Sequence, residues 1–173
     1  MKTKTAAALI LSVVLLASGC ATKISSSARE SSSAGDLVGA WRAKVHFKTG
    51  AFAPFKDLEF MYVFNAGGTM TESSNYDGAP PVPPAYGVWK RTGPGEFEAR
   101  YSFYSTKSPT NFDDIAKGGG WMPSGHGTLI ERIRLSDDGK SFRSTMHFEA
   151  FDQAGKPAEG GGDAVTEGTR MGF

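Results

Sequence analysis

The stretch Gly39-Ala40-Trp41-Arg42-Ala43-Lys44-Val45-His46-Phe47-Lys48 decides how the rest of the chain is read. Trp41, Ala43, Val45 and Phe47 fall on one face and Arg42, Lys44, His46 and Lys48 on the other. That period of two is what a strand with one wet and one buried face imposes. The same alternation recurs along the chain. Leu58, Phe60, Tyr62 and Phe64 alternate with Glu59, Met61, Val63 and Asn65. Phe97, Ala99, Tyr101 and Phe103 alternate with Glu96, Glu98, Arg100 and Ser102. Phe142, Met146 and Phe148 oppose Arg143, Thr145, His147 and Glu149.

Four further segments read as strands: Thr69 to Tyr76, Tyr86 to Thr92, Gly127 to Leu135 and about Ala164 to Met171. Asn65-Ala66-Gly67-Gly68, Gly93-Pro94-Gly95 and Asp137-Asp138-Gly139 read as tight turns. The whole is an all-β pattern of eight strands, with 111–117 the one brief helical candidate. Sequential strands joined by short turns pair with their neighbours. A flat meander leaves two exposed edges, and closure removes them. The expected fold is therefore an eight-stranded antiparallel up-and-down barrel over residues 37–173. The same alternation also allows a two-sheet β-sandwich.

Gly39-Ala40-Trp41 at the start of the first strand, the eight-strand meander and Arg170 in the last strand together resemble the calycin, or lipocalin-like, group. The resemblance implies that Trp41 packs against Arg170 at the closed end of the barrel, a cation–π contact worth about 1–2 kcal/mol when desolvated. Phe64 to Thr69 and Gly87 to Gly93 also resemble small bacterial barrels of this general type. The chain has no Thr-Asp-Tyr motif and no cysteine pair, so a minimal lipocalin-like barrel is the better match.

An eight-stranded barrel encloses room for filling side chains or for one small ligand. The inward faces offer Phe47, Phe60, Tyr62, Phe64, Phe97, Tyr101, Phe103 and Phe148 as an aromatic lining for a small hydrophobic ligand. The same residues also describe a barrel packed solid. Glu131 shares a face with Leu129, Ile133 and Leu135, which makes it an interior carboxylate. It is the candidate acid–base residue of an isomerase- or hydrolase-like barrel enzyme, or else an ion-pair partner of Arg170 or another basic residue near a barrel mouth. The irregular stretches Ser74–Ala85 and Thr106–Gly125 follow strands three and five, so they open on one end of the barrel. They carry Tyr76, Phe112, Trp121 and Met122.

Ahead of the barrel, Lys2 and Lys4 precede an apolar run from Ala6 to Ala17, too short to span a bilayer. Leu15-Leu16-Ala17-Ser18-Gly19-Cys20 resembles a bacterial lipobox. The resemblance implies cleavage after residue 19 and acylation of Cys20, the only cysteine in the chain. Residues 20–36 are then expected to be a flexible, Ser-rich tether. Ala21 is not the aspartate that holds such lipoproteins at the inner membrane. By that resemblance the expected address is the cell envelope, at the periplasmic face of the outer membrane if the host is Gram-negative.

A formal net charge of +1 gives no field for nucleic acid. No phosphate loop, zinc-ligand spacing or Gly-x-Ser-x-Gly elbow is present, and the histidines form no metal site by spacing. Gly118–Gly120 and Gly160–Gly162 read as flexible loops. No cofactor is expected. The expected partners are the membrane, through the lipid, and a small hydrophobic molecule. A protein partner bound by the loops of a solid barrel is the competing reading.

Overall fold

The computed structural model describes residues 36–76, 83–116 and 121–172. The leader over 1–19, Cys20, the tether up to residue 35, Gly118–Gly120, most of the proline-dense loop and the Phe112 side chain lie outside the described residues.

Eight strands follow one another: β1 (Gly39–Phe47), β2 (Leu58–Phe64), β3 (Thr69–Ser74), β4 (Ala85–Gly93), β5 (Glu96–Lys107), β6 (Met122–Leu135), β7 (Ser141–Phe151) and β8 (Pro157–Arg170). One short helix, α1 (Phe112–Ala116), lies between β5 and β6. Each strand pairs antiparallel with its sequence neighbour, and β8 pairs with β1, closing the barrel in the order β1 to β8. Closure excludes the two-sheet sandwich. In β1 the alternation survives intact, with Trp41, Ala43, Val45 and Phe47 buried and Arg42, Lys44 and His46 exposed.

Two differences from the sequence reading have a physical cause. β6 starts at Met122 rather than Gly127, paired with an equally extended β5 across an irregularity at Ser105/Thr106. The loop read over 106–125 therefore shrinks to 108–121. β8 starts at Pro157 rather than near Ala164, so Gly160–Gly162 are strand, not loop. Gly161 and Gly162 serve close approach: a Cβ would lie 2.6 Å from the Phe148 carbonyl oxygen at the first and 2.2 Å from the Thr49 carbonyl oxygen at the second. Only a residue without a side chain lets the two backbones pass there.

The two ends of the barrel differ. The β2–β3, β4–β5 and β6–β7 connections are tight turns at one end, where the chain also enters through Asp36–Val38. The β1–β2, β3–β4, β5–β6 and β7–β8 connections lie at the other end and include every long one.

Candidate functional site

At the tight-turn end Trp41 is fully buried. Its indole Nε1 donates to the Leu37 carbonyl at 2.9 Å, and its ring meets Phe142 edge-on at 5.1 Å. The Arg170 guanidinium lies over the Trp41 ring, 4.2 Å from its centroid. Arg170 also donates to the carbonyls of Gly139 (2.8 Å), Val38 (2.6 Å) and Asp36. Gly39 has a φ of +133°, and a Cβ there would meet this guanidinium at 2.8 Å. The glycine and the tryptophan of the Gly-x-Trp element thus do separate jobs, one making way for the cation and the other receiving it. This end is sealed.

Above the seal the core is solid. Tyr62 stacks on Phe64 with centroids 5.5 Å apart, and Trp89 bridges Phe64 (6.0 Å) and Phe97 (5.7 Å) edge-on. Embedded here is Glu131, with no solvent exposure. Its Oε2 accepts from the Tyr101 hydroxyl at 2.9 Å, and its Oε1 accepts a short hydrogen bond from the Ser144 hydroxyl. The Tyr62 hydroxyl is 3.5 Å from that of Tyr101. Burial pushes the Glu131 carboxyl above its ordinary range, while the bonds from Ser144, Tyr101 and Tyr62 pull the other way. Burial, and then the charge of Glu131, holds both phenols well above their usual range, so they stay protonated donors. Arg170 lies at the sealed end among carbonyls and the indole, so the alternative Glu131–Arg170 ion pair is not formed.

The raised pKa of Glu131 carries a sign. A carboxyl that holds its proton more tightly folded than unfolded makes the fold bind more protons in that interval. Its contribution is fully present below the unfolded value of about 4.3 and is lost as pH rises through the higher folded value. Glu131→Gln removes this titration and keeps the other groups. The unfolding free energy of the wild type minus that of Glu131→Gln is therefore expected to fall as pH rises above about 4.3, then level. Denaturant unfolding at a series of pH values checks it, and a flat difference contradicts it.

The long-loop end is hollow. A cavity of about 180 Å³ opens there, walled by Phe47, Leu58, Phe60, Phe103, Leu129 and Phe148. Glu72, Ser74, Tyr76, Ser105 and Thr106 add polar atoms. Of the aromatic lining expected from the sequence, Phe47, Phe60, Phe103 and Phe148 border this cavity. Tyr62, Phe64, Phe97 and Tyr101 do not, because their rings interlock in the lower half. The lumen is thus packed below and open above. Glu131 lies outside the cavity lining, behind the two tyrosines.

Three contributors escaped the sequence reading. Glu72 is buried on the inner face of β3, in phase with Met70. Ser144 is in phase with Phe142 and Met146 on β7. Counting on by two between Phe142 and Met146 would have found Ser144, whereas β3 offers only Met70 from which to count to Glu72. Phe52, from the connection after β1, folds over the mouth and contacts Phe47 (5.3 Å), Phe148 (5.7 Å) and Tyr76 (5.8 Å). Nothing local marks Phe52 as inward. Elsewhere, His126 stacks on Phe151 at 4.8 Å, and His147 faces Asp163 at 2.7 Å. Among the described residues no group of three or more His, Cys, Asp or Glu side chains is placed to hold a metal ion.

Fold and cavity together define an eight-stranded antiparallel up-and-down barrel, sealed at one end and open at the other. No protein-family model matches the chain, and a search of curated proteins finds no relative.

Proposed function

We propose that this is a lipocalin-like envelope lipoprotein, anchored through Cys20, whose open-end cavity binds one small apolar or amphipathic molecule. The observation that carries the reading is the aromatic-walled cavity at the long-loop end, above a core that is otherwise filled. Its size sets the scale of the ligand. A dry cavity of about 150 Å³ takes up one benzene, whereas drug-sized ligands need roughly 300–1,000 Å³. At about 180 Å³ the occupant is ring-sized, or is the ring-sized tip of a longer molecule entering past Tyr76. The Trp41–Arg170 contact beside a sealed end supports the lipocalin-like comparison. Binding is favoured over catalysis because Glu131, the acid–base candidate, does not border the cavity.

Calorimetric titration of the purified protein with 2-phenylethanol tests the binding half. Saturable one-site heat is expected, and its absence rejects the reading. For the anchor, Cys20→Ala is expected to move the protein from the membrane fraction of the host to the soluble one. Failure of the wild-type protein to incorporate a labelled fatty acid, or its presence in the soluble fraction, would overturn the anchor.

A further inference from the structure

We propose that the cavity and the groove beside it are two halves of one site for an elongated amphipathic molecule, joined when the Phe52 ring turns aside. The apolar end of the guest fills the lumen and its uncharged, hydrogen-bonding end lies in the groove; this rests on the ligand-binding reading above.

The groove holds about 270 Å³ at the long-loop ends of β5 to β8. It shares Phe52, Phe103, Ser105 and Phe148 with the cavity, so the wall between the two hollows is one residue thick. Three rings make most of that wall. Phe103 and Phe148 stack with centroids 5.9 Å apart, and Phe52 meets Phe148 edge-on at 5.7 Å. Phe103 and Phe148 stand on paired strands, seated over Gly127, where a Cβ would lie 2.6 and 2.5 Å from their rings. Phe52 is different. It belongs to the β1–β2 connection, whose residues 48, 49 and 51 donate backbone hydrogen bonds to the carbonyls of Asp163 and Gly160 on β8. That anchor fixes where Phe52 stands, yet its half-buried ring is the one part of the wall not built on a strand. A change of rotamer there opens the wall without moving a strand.

The two hollows differ in chemistry. Phe47, Leu58, Phe60 and Leu129 border the cavity and not the groove. Ser124, His126, Asp152 and Glu159 border the groove and not the cavity. Asp152 already accepts from the amides of Ala154 and Lys156 in its own turn, so the guest's end meets Ser124, His126 and Glu159. Hydroxyl, imidazole and carboxylate together suit a group that both donates and accepts, such as a hydroxyl or an amide. Size agrees as well. Neither hollow alone reaches the roughly 300 Å³ at which sites for drug-sized ligands begin, and joined they exceed it.

The test is calorimetric titration with 2-phenylethanol, 4-phenyl-1-butanol and 6-phenyl-1-hexanol, which share a ring and a hydroxyl and differ in length. Each fully buried CH₂ adds about fourfold to affinity. The wild type is expected to bind the longest at least tenfold more tightly than the shortest, the remainder offsetting displacement of Phe52. Ala150→Phe, which fills the groove and leaves the cavity lining intact, is expected to keep 2-phenylethanol binding within about twofold and to lose the gain with length. Phe52→Ala is expected to steepen that gain at least threefold. No gain with length in the wild type overturns the proposal while leaving a ligand-binding barrel in place. A gain that survives Ala150→Phe, or one that Phe52→Ala leaves unchanged or reduces, does the same. Failure of all three compounds to bind removes both readings. A measurement on the unaltered protein guards against disturbance by either substitution. In nuclear Overhauser spectra, the methylene beside the hydroxyl of bound 6-phenyl-1-hexanol is expected to contact the His126 and Phe151 rings, and its phenyl group the Phe60 ring. Bound compound without the first contact overturns the proposal.

Discussion

Trp41→Ala is expected to lower the unfolding free energy by about 3–5 kcal/mol, the range found when a large buried aromatic side chain is cut to alanine. The melting temperature of a domain this size should drop by roughly 10–20 °C. Several losses coincide at this residue. The indole is wholly buried, so its area returns to water and a cavity opens at the sealed end. The Leu37 carbonyl loses its donor, and the Arg170 guanidinium loses the ring beneath it. Phe142 loses an edge-to-face neighbour. Arg170 keeps its three backbone carbonyls, which makes the loss a packing loss more than an orphaned charge. Chemical denaturation followed by circular dichroism measures it, with Trp41→Phe as the comparison that retains a ring but not the N–H. A loss below about 1 kcal/mol, the scale of a surface substitution, would mean that the end is held by something other than this stack.

The second large effect is on binding. Ala85→Phe is expected to abolish detectable binding of 2-phenylethanol, a loss of at least about a hundredfold, or roughly 2.7 kcal/mol. Ala85 is almost fully buried at the start of β4 and lines the cavity beside Glu72. A phenyl group grown from its Cβ competes for the same volume as the guest, since a void of about 150 Å³ holds one benzene. Filling a void also stabilises, so the variant should melt no lower than the wild type and could gain about 0.5–2 kcal/mol. That pairing of lost binding with retained stability separates occlusion from misfolding. Undiminished binding would place the guest elsewhere, for example in the groove where Phe52, His126 and Phe151 meet, and would remove the cavity from the functional reading.

The sequence was most legible where a strand has one wet face. β1 and β5 alternate cleanly between apolar and mostly charged side chains, so their phase and inward residues follow from counting, and β7 departs from this at inward Ser144 and outward Thr145. Glu131 was legible for the same reason, because it shares its phase with Leu129 and Ile133. β3 was less so: its run of Thr, Ser and Glu gives little contrast between faces, and Glu72 passed unnoticed at an inward position. The glycines of β8 misled because glycine marks a loop and a close backbone passage with the same letter. The boundary between packed and hollow lumen could not be read at all. Inward aromatics look alike in sequence, and whether rings interlock, as Tyr62 and Phe64 do, or stand back from a void, as Phe60 and Phe103 do, depends on neighbours several strands away.

The join between β1 and β8 has a kinetic side. Arg170 reaches Val38 across 132 residues of chain, and the β1–β8 ladder from Trp41–Arg170 to Phe47–Ala164 is the longest-range pairing in the barrel. Loop-closure entropy makes such contacts late and slow to form. Until the last strand arrives, β1 presents an unpaired edge whose alternating pattern would accept a strand from any other copy of the chain. The exposed interval is therefore the one before the ring is complete, when the concentration of unfinished chains sets how often β1 meets another copy before its own β8.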